Sequence, residues 1–255
     1  MNNDNKKNTL KIGSIFILTI ALAACQSGNT PKIDPTTETG QQTGAQRSEL
    51  IRQIFYNVPS PVEMANLLQK SSLTFNPTLL SKYGREKEFL TQDHQALNLG
   101  VYGADLSYCR VFDQIQESIK YLSSIRYLTQ SLQIPQDQSN NAVERLEKNL
   151  SNKDSLIDVV IELFTNADTY LKENQREGSA VLILAGSWVE GMYIATHLLE
   201  PTNNRPELLE KIAVQKHSAQ NLAKLMEPYA TENTFRQTIY DYLVKISLIY
   251  ENVTV

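Results

Sequence analysis

The chain is poor in cysteine and histidine and carries no excess of basic residues. Its 255 residues include two Cys, three His and 24 Lys or Arg against 28 Asp or Glu, which gives a formal net charge of −4. So few cysteines exclude a disulfide-rich scaffold, and the acidic balance leaves no basic footprint for a nucleic-acid partner. A hydrophobic share of 41% excludes a wholly disordered chain. We therefore expect one or two folded domains.

Sequence motifs that carry catalysis are also missing. The chain has no nucleophile elbow, phosphate-binding loop, dinucleotide fingerprint, paired Cys-x-x-Cys or zinc-protease His-Glu pair. Because the whole chain holds three histidines, catalysis by histidine has few candidates. The motifs predict no catalytic residue, cofactor or metal.

The first 24 residues have the layout of an export signal. A polar segment bearing Lys6, Lys7 and Lys11 precedes a short apolar run, which returns to polar sequence at Gln26. The run is shorter than the roughly 20 apolar residues that a membrane-spanning helix needs. We expect residues 1–24 to be cleaved, which removes three lysines and one aspartate and leaves a formal charge of about −6.

The apolar run closes with Leu22-Ala23-Ala24-Cys25, a motif that resembles the lipobox of bacterial lipoproteins. The resemblance implies that the Cys25 sulfur receives a diacylglyceryl group, that cleavage occurs before Cys25, and that the new amino group is acylated with a fatty acid such as palmitate. Each buried methylene of these chains contributes about 0.8 kcal/mol, enough together to hold the protein on a lipid bilayer. The alternative is an ordinary secretory signal that contains a cysteine.

The lipoprotein resemblance also implies an address in the bacterial cell envelope. Gln26 follows the lipid carrier, whereas Asp at that position retains lipoproteins of the best-known didermal bacteria in the inner membrane. Residues 26–34 also lack the acidic cluster that some lipoproteins use to reach the cell surface. The resemblance therefore favours the outer membrane and its periplasmic face.

Residues 25–47 are predicted to form a lipidated flexible tether. The stretch is rich in Gly, Thr, Gln and Pro, and Ile33 is its only large aliphatic residue. It cannot bury enough apolar surface to offset the entropy lost on ordering. The predicted organisation is therefore a signal peptide (1–24), a tether (25–47) and a folded domain (48–255).

From residue 48 onward the dominant hydrophobic period is helical, and no pair of alternating strands is joined by a tight turn. We predict an all-α fold, an antiparallel multi-helix bundle of about eight helices. The predicted helices span residues 60–70, 77–82, 86–99, 105–133, 139–150, 153–173, 177–199, 206–226 and 231–250.

The predicted helix 177–199 differs from the others. Residues 179–189 contain no charge and are apolar on every face, which is typical of a helix at the centre of a bundle. Gly178, Gly186 and Gly191 each cost about 1 kcal/mol relative to alanine in a helix. We expect a close approach of neighbouring helices to offset this loss.

The most suggestive polar group lies on the same predicted helix. Glu190, Tyr193, His197 and Glu200 recur at steps of three and four residues, which places them along one side of it. A carboxylate and an imidazole can bind a metal or pass a proton if another helix supplies further ligands. Candidates for those ligands are the Asp93–His94 pair and Asp105 beside Tyr102 and Tyr108.

A carboxylate beside Trp188 and Met192 is costly to bury unless it is hydrogen-bonded or protonated. Our hypothesis is an internal polar pocket at Glu190, Tyr193 and His197. In the alternative, Glu190 pairs with a neighbouring arginine or tyrosine hydroxyl while His197 faces solvent.

Two other residue types allow more than one interpretation. The twelve tyrosines fit either a ligand groove or partner surface, or helix packing with the hydroxyls at the rim. Cys109 lies among apolar residues and is interpreted as a small buried apolar group rather than a reactive thiol.

The sequence therefore predicts a membrane-anchored envelope lipoprotein. Its helical domain is expected to bind or scaffold an envelope protein or a small ligand without catalysis. The alternative is a metal-dependent enzyme that uses Glu190 and His197.

Overall fold

Helices account for all the regular structure in the part of the chain that the computed structural model describes, residues 74–135, 148, 165–198 and 206–253. The predicted all-α class is confirmed for these residues. Six α-helices have both ends within them: α1 (Gln92–Val111), α2 (Ile115–Ser131), α3 (Glu177–His197), α4 (Pro206–Ala213), α5 (Lys216–Met226) and α6 (Thr234–Glu251). Short 3₁₀ helices lie at Pro77–Leu79, Glu86–Glu88 and Glu227–Glu232, and residues 165–173 are helical.

Several predicted segments lie outside the described residues. These are the signal peptide (1–24), the tether (25–47), the predicted helix at 60–70 and, except for Lys148, the predicted helix at 139–150. The predicted helix at 153–173 is described from residue 165 onward.

The chain forms two helices where the apolar spacing predicted one helix over 105–133. The backbone N–H of Asp113 donates to the Arg110 carbonyl at 3.1 Å, and that of Gln114 donates to the Cys109 carbonyl at 2.8 Å. This is the Schellman pattern that ends helices, with Asp113 at φ +57° in the left-handed conformation that glycine usually supplies. Because no glycine marks the stop, the apolar spacing alone predicted a single helix.

The same arrangement ends two further helical segments. Gln133, after α2, has φ +57°, and Gln175, after the helical residues 165–173, has φ +58°. The residue that follows each glutamine donates its backbone N–H five residues back, Ile134 to Thr129 and Arg176 to Leu171. In the described part of the chain, non-glycine residues therefore end three helical segments in the left-handed conformation.

Gln133→Gly is expected to raise the free energy of unfolding by about 1 kcal/mol. Gln133 is exposed, and a side chain is disfavoured at its positive φ, whereas glycine is not. Gln130→Gly is the matched control, because Gln130 is exposed within α2 and the same change should there cost about 0.5–1 kcal/mol. Denaturant unfolding measures both variants, and a loss of stability in both would contradict the prediction.

The backbones of α1 and α3 approach each other most closely at two glycines. An added Cβ at Gly100 would overlap the Ile183 carbonyl oxygen and lie 2.7 Å from the Ser187 amide nitrogen. An added Cβ at Gly186 would overlap the Leu97 carbonyl oxygen. The prediction of close packing is confirmed at Gly186 and wrong at Gly191, where an added Cβ meets no described atom within 4 Å. Gly100 lies between the predicted helices 86–99 and 105–133, but the structure places it inside α1, where contact with α3 offsets its low helix propensity.

The helix α3 occupies the buried centre that its uncharged sequence predicted. All its residues from 178 to 186 are buried. Among the described helices, α3 is also the one long and apolar enough to cross a membrane by length and composition, and 61% of its most apolar window is buried inside the protein. Burial of this extent is typical of a core helix.

The inner face of α6 differs from the predicted stripe in part. The apolar spacing of residues 235, 239, 242, 246 and 249 predicts a core stripe that includes Tyr242 and Ile249, but these two residues are 58% and 68% exposed. Leu243 and Tyr250 are buried instead. The helix carries apolar residues on two adjoining faces. Packing against α5 and the 3₁₀ helix Glu227–Glu232 buries one of these faces. Ile249 is left for a surface that α6 shares with α3 and α4.

Candidate functional site

A pair of carboxyl groups, Asp105 on α1 and Glu190 on α3, meets where the two helices pack together. Asp105 is fully buried, and apart from the backbone of Ser81 no N–H or hydroxyl donor of the described residues lies near its carboxyl oxygens. Glu190 is half-buried and accepts a hydrogen bond from the Ser81 hydroxyl at 3.2 Å. Two carboxyl groups can bond each other only if one carries a proton. A proton held by one of the two groups would let Asp105 and Glu190 bond each other.

The electrostatics of the carboxyl pair favour that proton. Burial and the neighbouring Glu190 raise the pKa of Asp105 to about 9, although the backbone of Ser81 lowers it in part. Burial also raises the pKa of Glu190, while the hydrogen bonds with Asp105 and Ser81 oppose the rise. The pair thus retains a proton at neutral pH, where isolated carboxyl groups are ionised.

Three tyrosine hydroxyls of α1 and α2 form hydrogen bonds with the backbone of residues 76–82. The bonds are Tyr121 Oη to the Ser81 carbonyl at 2.7 Å, Tyr102 Oη to the Lys82 carbonyl at 3.0 Å, and the Asn76 N–H to Tyr108 Oη at 3.0 Å. Tyr102 and Tyr121 are almost completely buried. These three tyrosines therefore serve packing and backbone hydrogen bonding, the second of the two interpretations that the sequence allowed.

The other residues grouped with Glu190 in the sequence contact each other rather than the carboxyl pair. The rings of Tyr193 and His197 lie 4.0 Å apart, and His197 Nδ1 is 2.7 Å from the Tyr193 carbonyl oxygen. His197 is exposed, and Glu200 lies outside the described residues. The structure therefore brings Glu190 to Asp105 and Ser81, and Tyr193 to His197.

The Asp93–His94 pair at the start of α1 contacts α6 instead of Glu190. Asp93 accepts two hydrogen bonds from the Arg236 guanidinium, at 2.7 and 2.9 Å, and a third from the Asn233 amide at 2.8 Å. Burial acts to raise the pKa of Asp93, but these bonds hold it below its usual value. The His94 ring lies against the Phe235 ring, with the centroids 4.2 Å apart and the planes tilted by 37°. Across the described ranges, no three His, Cys, Asp or Glu side chains are placed to hold a metal ion.

Cys109 is fully buried in α1. Burial, with a smaller contribution from Asp105, raises the pKa of its thiol to about 12. A protonated and inaccessible thiol is a poor nucleophile. The interpretation of Cys109 as a small buried apolar group is confirmed.

An apolar groove of about 660 Å³ lies between α3, α4 and α6. Its volume falls in the range of about 300–1,000 Å³ that is typical of small-molecule sites. None of the described residues that line it carries a charged side chain. Among the lining residues are Trp188, Val189, Tyr193, Leu209, Ile249 and Tyr250.

Most polar atoms in the groove wall already have partners within the protein. Trp188 Nε1 donates to Gln215 Oε1 at 3.0 Å, and Tyr250 Oη donates to the Ile212 carbonyl at 2.9 Å. The Thr196 hydroxyl donates to a carbonyl of its own helix at 2.8 Å. The wall therefore offers an occupant mainly apolar contact.

The sequence did not predict this groove. Residues 206–226 were predicted as one helix, but the helix is interrupted between α4 and α5. The interruption places the buried Gln215 side chain against Trp188. The sequence feature that could have indicated the groove is the number of large apolar residues on α3 and α6. The sequence analysis assigned these residues to the core. Only the packing of α6 shows that Ile249 and Val189 remain exposed.

No family model, curated protein or solved structure matches the chain. The function is therefore inferred from the residues of this chain alone. They form two features, a carboxyl pair enclosed between α1 and α3 and an apolar groove open to solvent.

Proposed function

We propose that this chain is an envelope lipoprotein whose helical domain binds an apolar ligand in the groove between α3, α4 and α6, without catalysis. The acylated Cys25 anchors it to the lipid bilayer, with the periplasmic face of the outer membrane favoured. The domain is a bundle of about eight antiparallel helices, and the tether lets it reach away from the bilayer.

The observation that carries this proposal is the exposed apolar surface of the groove. Val189, Tyr193, Leu209 and Ile249 all line it, and between 40% and 68% of each side chain is exposed. Such clusters of large exposed apolar residues mark ligand or partner sites. The carboxyl pair offers no comparable access, because Asp105 is fully buried.

Trp188 makes the groove directly testable, because it is the only tryptophan in the chain and lies in the groove wall. We expect the methyl ester of dibromostearate, a neutral apolar quencher, to quench its fluorescence saturably. The full chain carrying Cys25→Ser is the parent for this measurement, so that the anchor lipid cannot occupy the groove.

Val189→Asp is expected to weaken ester binding at least about tenfold, because a carboxylate in an apolar site is costly to desolvate. Leu248→Asp is the matched control, since Leu248 is exposed on α6 and is not part of the groove wall. We expect it to bind like the parent. Absence of saturable quenching in the parent would refute the groove as a ligand site.

Cys25→Ser is expected to abolish labelling by a palmitate analogue and to block processing of the signal peptide, because the hydroxyl cannot replace the thiol that accepts the lipid. Cys109→Ser is the matched control and should be labelled and processed normally, since Cys109 is buried. Metabolic labelling of cells and gel mobility measure both outcomes. Full processing of Cys25→Ser, with no label on the parent, would contradict the anchor.

A further inference from the structure

We propose that the groove binds one long-chain fatty acid, with its acyl chain along the apolar wall and its carboxylate at the ammonium group of Lys216. This inference rests on the proposed function and specifies the chemical class of the ligand. Three observations support it: the volume of the groove, the chemistry of its wall and the position of Lys216.

The volume of the groove suits a single acyl chain. At about 30 Å³ per heavy atom, the share of one molecule in liquid water, the 660 Å³ of the groove holds on the order of 20 heavy atoms. That is one long-chain fatty acid, whereas a two-chain phospholipid is about twice as large. The volume therefore suits one acyl chain, which a free fatty acid supplies.

The chemistry of the wall requires that most of the ligand be apolar. The polar atoms of Trp188, Thr196 and Tyr250 already bond within the protein, and the lining residues in the described part of the chain are all uncharged. A peptide segment would bring amide groups that this wall cannot satisfy. A methylene chain brings none and gains about 0.8 kcal/mol for each buried CH₂.

Lys216 supplies a positive charge beside the groove residue Val253. It is the first residue of α5, and its Nζ donates to the carbonyl oxygen of the groove residue Val253 at 3.2 Å. An ammonium group has three donors, so this bond leaves capacity for a carboxylate. Lys216 is half-buried, and partial burial strengthens a charge-assisted hydrogen bond.

The test compares dibromostearate with its methyl ester, using quenching of Trp188 in the full Cys25→Ser chain at concentrations where both are monomeric. The acid is expected to bind at least about tenfold more tightly than the ester. Lys216→Gln should remove this preference and leave ester binding unchanged, while Lys216→Arg should retain it. Lys245→Gln, an equal change of charge at an exposed position of α6, should also retain it.

The ester separates ligand binding from a purely structural role of Lys216, which lies near the C-terminus of α6 and also interacts favourably with that helix end. A loss of ester binding in Lys216→Gln would show such a structural role and overturn the assignment of the carboxylate site. Equal affinities of the parent for acid and ester would overturn the fatty-acid inference but leave the proposed groove intact. Failure of both quenchers would overturn the inference and the proposed function together.

Discussion

Asp105→Asn is expected to remove most of the pH dependence of stability between about pH 5 and pH 8. The pKa of Asp105 is raised to about 9 in the folded protein, whereas in the unfolded chain it is near 4. Over this window the folded state binds more protons than the unfolded state, so the free energy of unfolding falls as pH rises. Asparagine cannot titrate, and the slope should disappear.

The expected size of the effect follows from one proton. Each pH unit across the window corresponds to at most about 1.4 kcal/mol, so the parent should lose on the order of 2–4 kcal/mol between the two pH values. Asp105→Asn should match the parent only below about pH 4, where Asp105 is protonated in both states, and should exceed its stability increasingly from pH 5 to pH 8. Glu190→Gln should reduce the slope too, because it removes the neighbouring charge. Denaturant unfolding at a series of pH values measures all of these.

Asp93→Asn is the matched control, because the pKa of Asp93 is shifted in the opposite direction. Its contribution to stability is present above pH 4 and is lost as the pH falls through its lowered value. Removing it should cost roughly 2–4 kcal/mol at every pH of the window without changing the slope. If Asp105→Asn retained the parent slope, the shared proton would be refuted.

Gly186→Ala is expected to destabilise the protein by about 3 kcal/mol or more. The added methyl group would overlap the Leu97 carbonyl oxygen, and two backbones that touch cannot relax as a side chain can, which makes this a severe case of overpacking. The free energy of unfolding and the thermal midpoint measure the loss.

Gly191→Ala is the matched control in the same helix. An added Cβ at Gly191 meets no atom within 4 Å, so alanine should stabilise α3 by up to about 1 kcal/mol through its higher helix propensity. The two substitutions are chemically identical and should have opposite signs. A loss below about 1 kcal/mol in Gly186→Ala would contradict the close approach of α1 and α3.

Residues that cap helix N-termini show how much of a helix boundary the local sequence predicts. A helix was predicted over residues 77–82, and the structure has a shorter 3₁₀ helix, Pro77–Leu79, which Asn76 caps by accepting the Thr78 N–H. The three helix ends at Asp113, Gln133 and Gln175 gave no such signal, because none of them carries the glycine that usually marks the left-handed conformation. The all-α fold class was therefore predictable from the sequence, whereas the ends of several helices were not.

The candidate site divides in the same way. Glu190 was identified from the conflict between its charge and its apolar neighbours, and the structure gives it the buried partner Asp105. Tyr193 and His197 share its helical spacing yet contact other groups. The spacing of residues along a helix predicts the side of the helix on which their side chains lie. The residues that they contact on that side belong to other parts of the chain, which the spacing does not identify.

The sequence by itself determined the helical class, the uncharged centre of α3 and the lipobox-like N-terminus, because periodicity, charge and short motifs are local properties. Only the tertiary structure decided that Asp105 meets Glu190, that Gly100 faces α3, and which apolar face of α6 stays exposed. These outcomes depend on how helices distant in the chain pack together, and packing selects one arrangement from several that the local pattern permits equally.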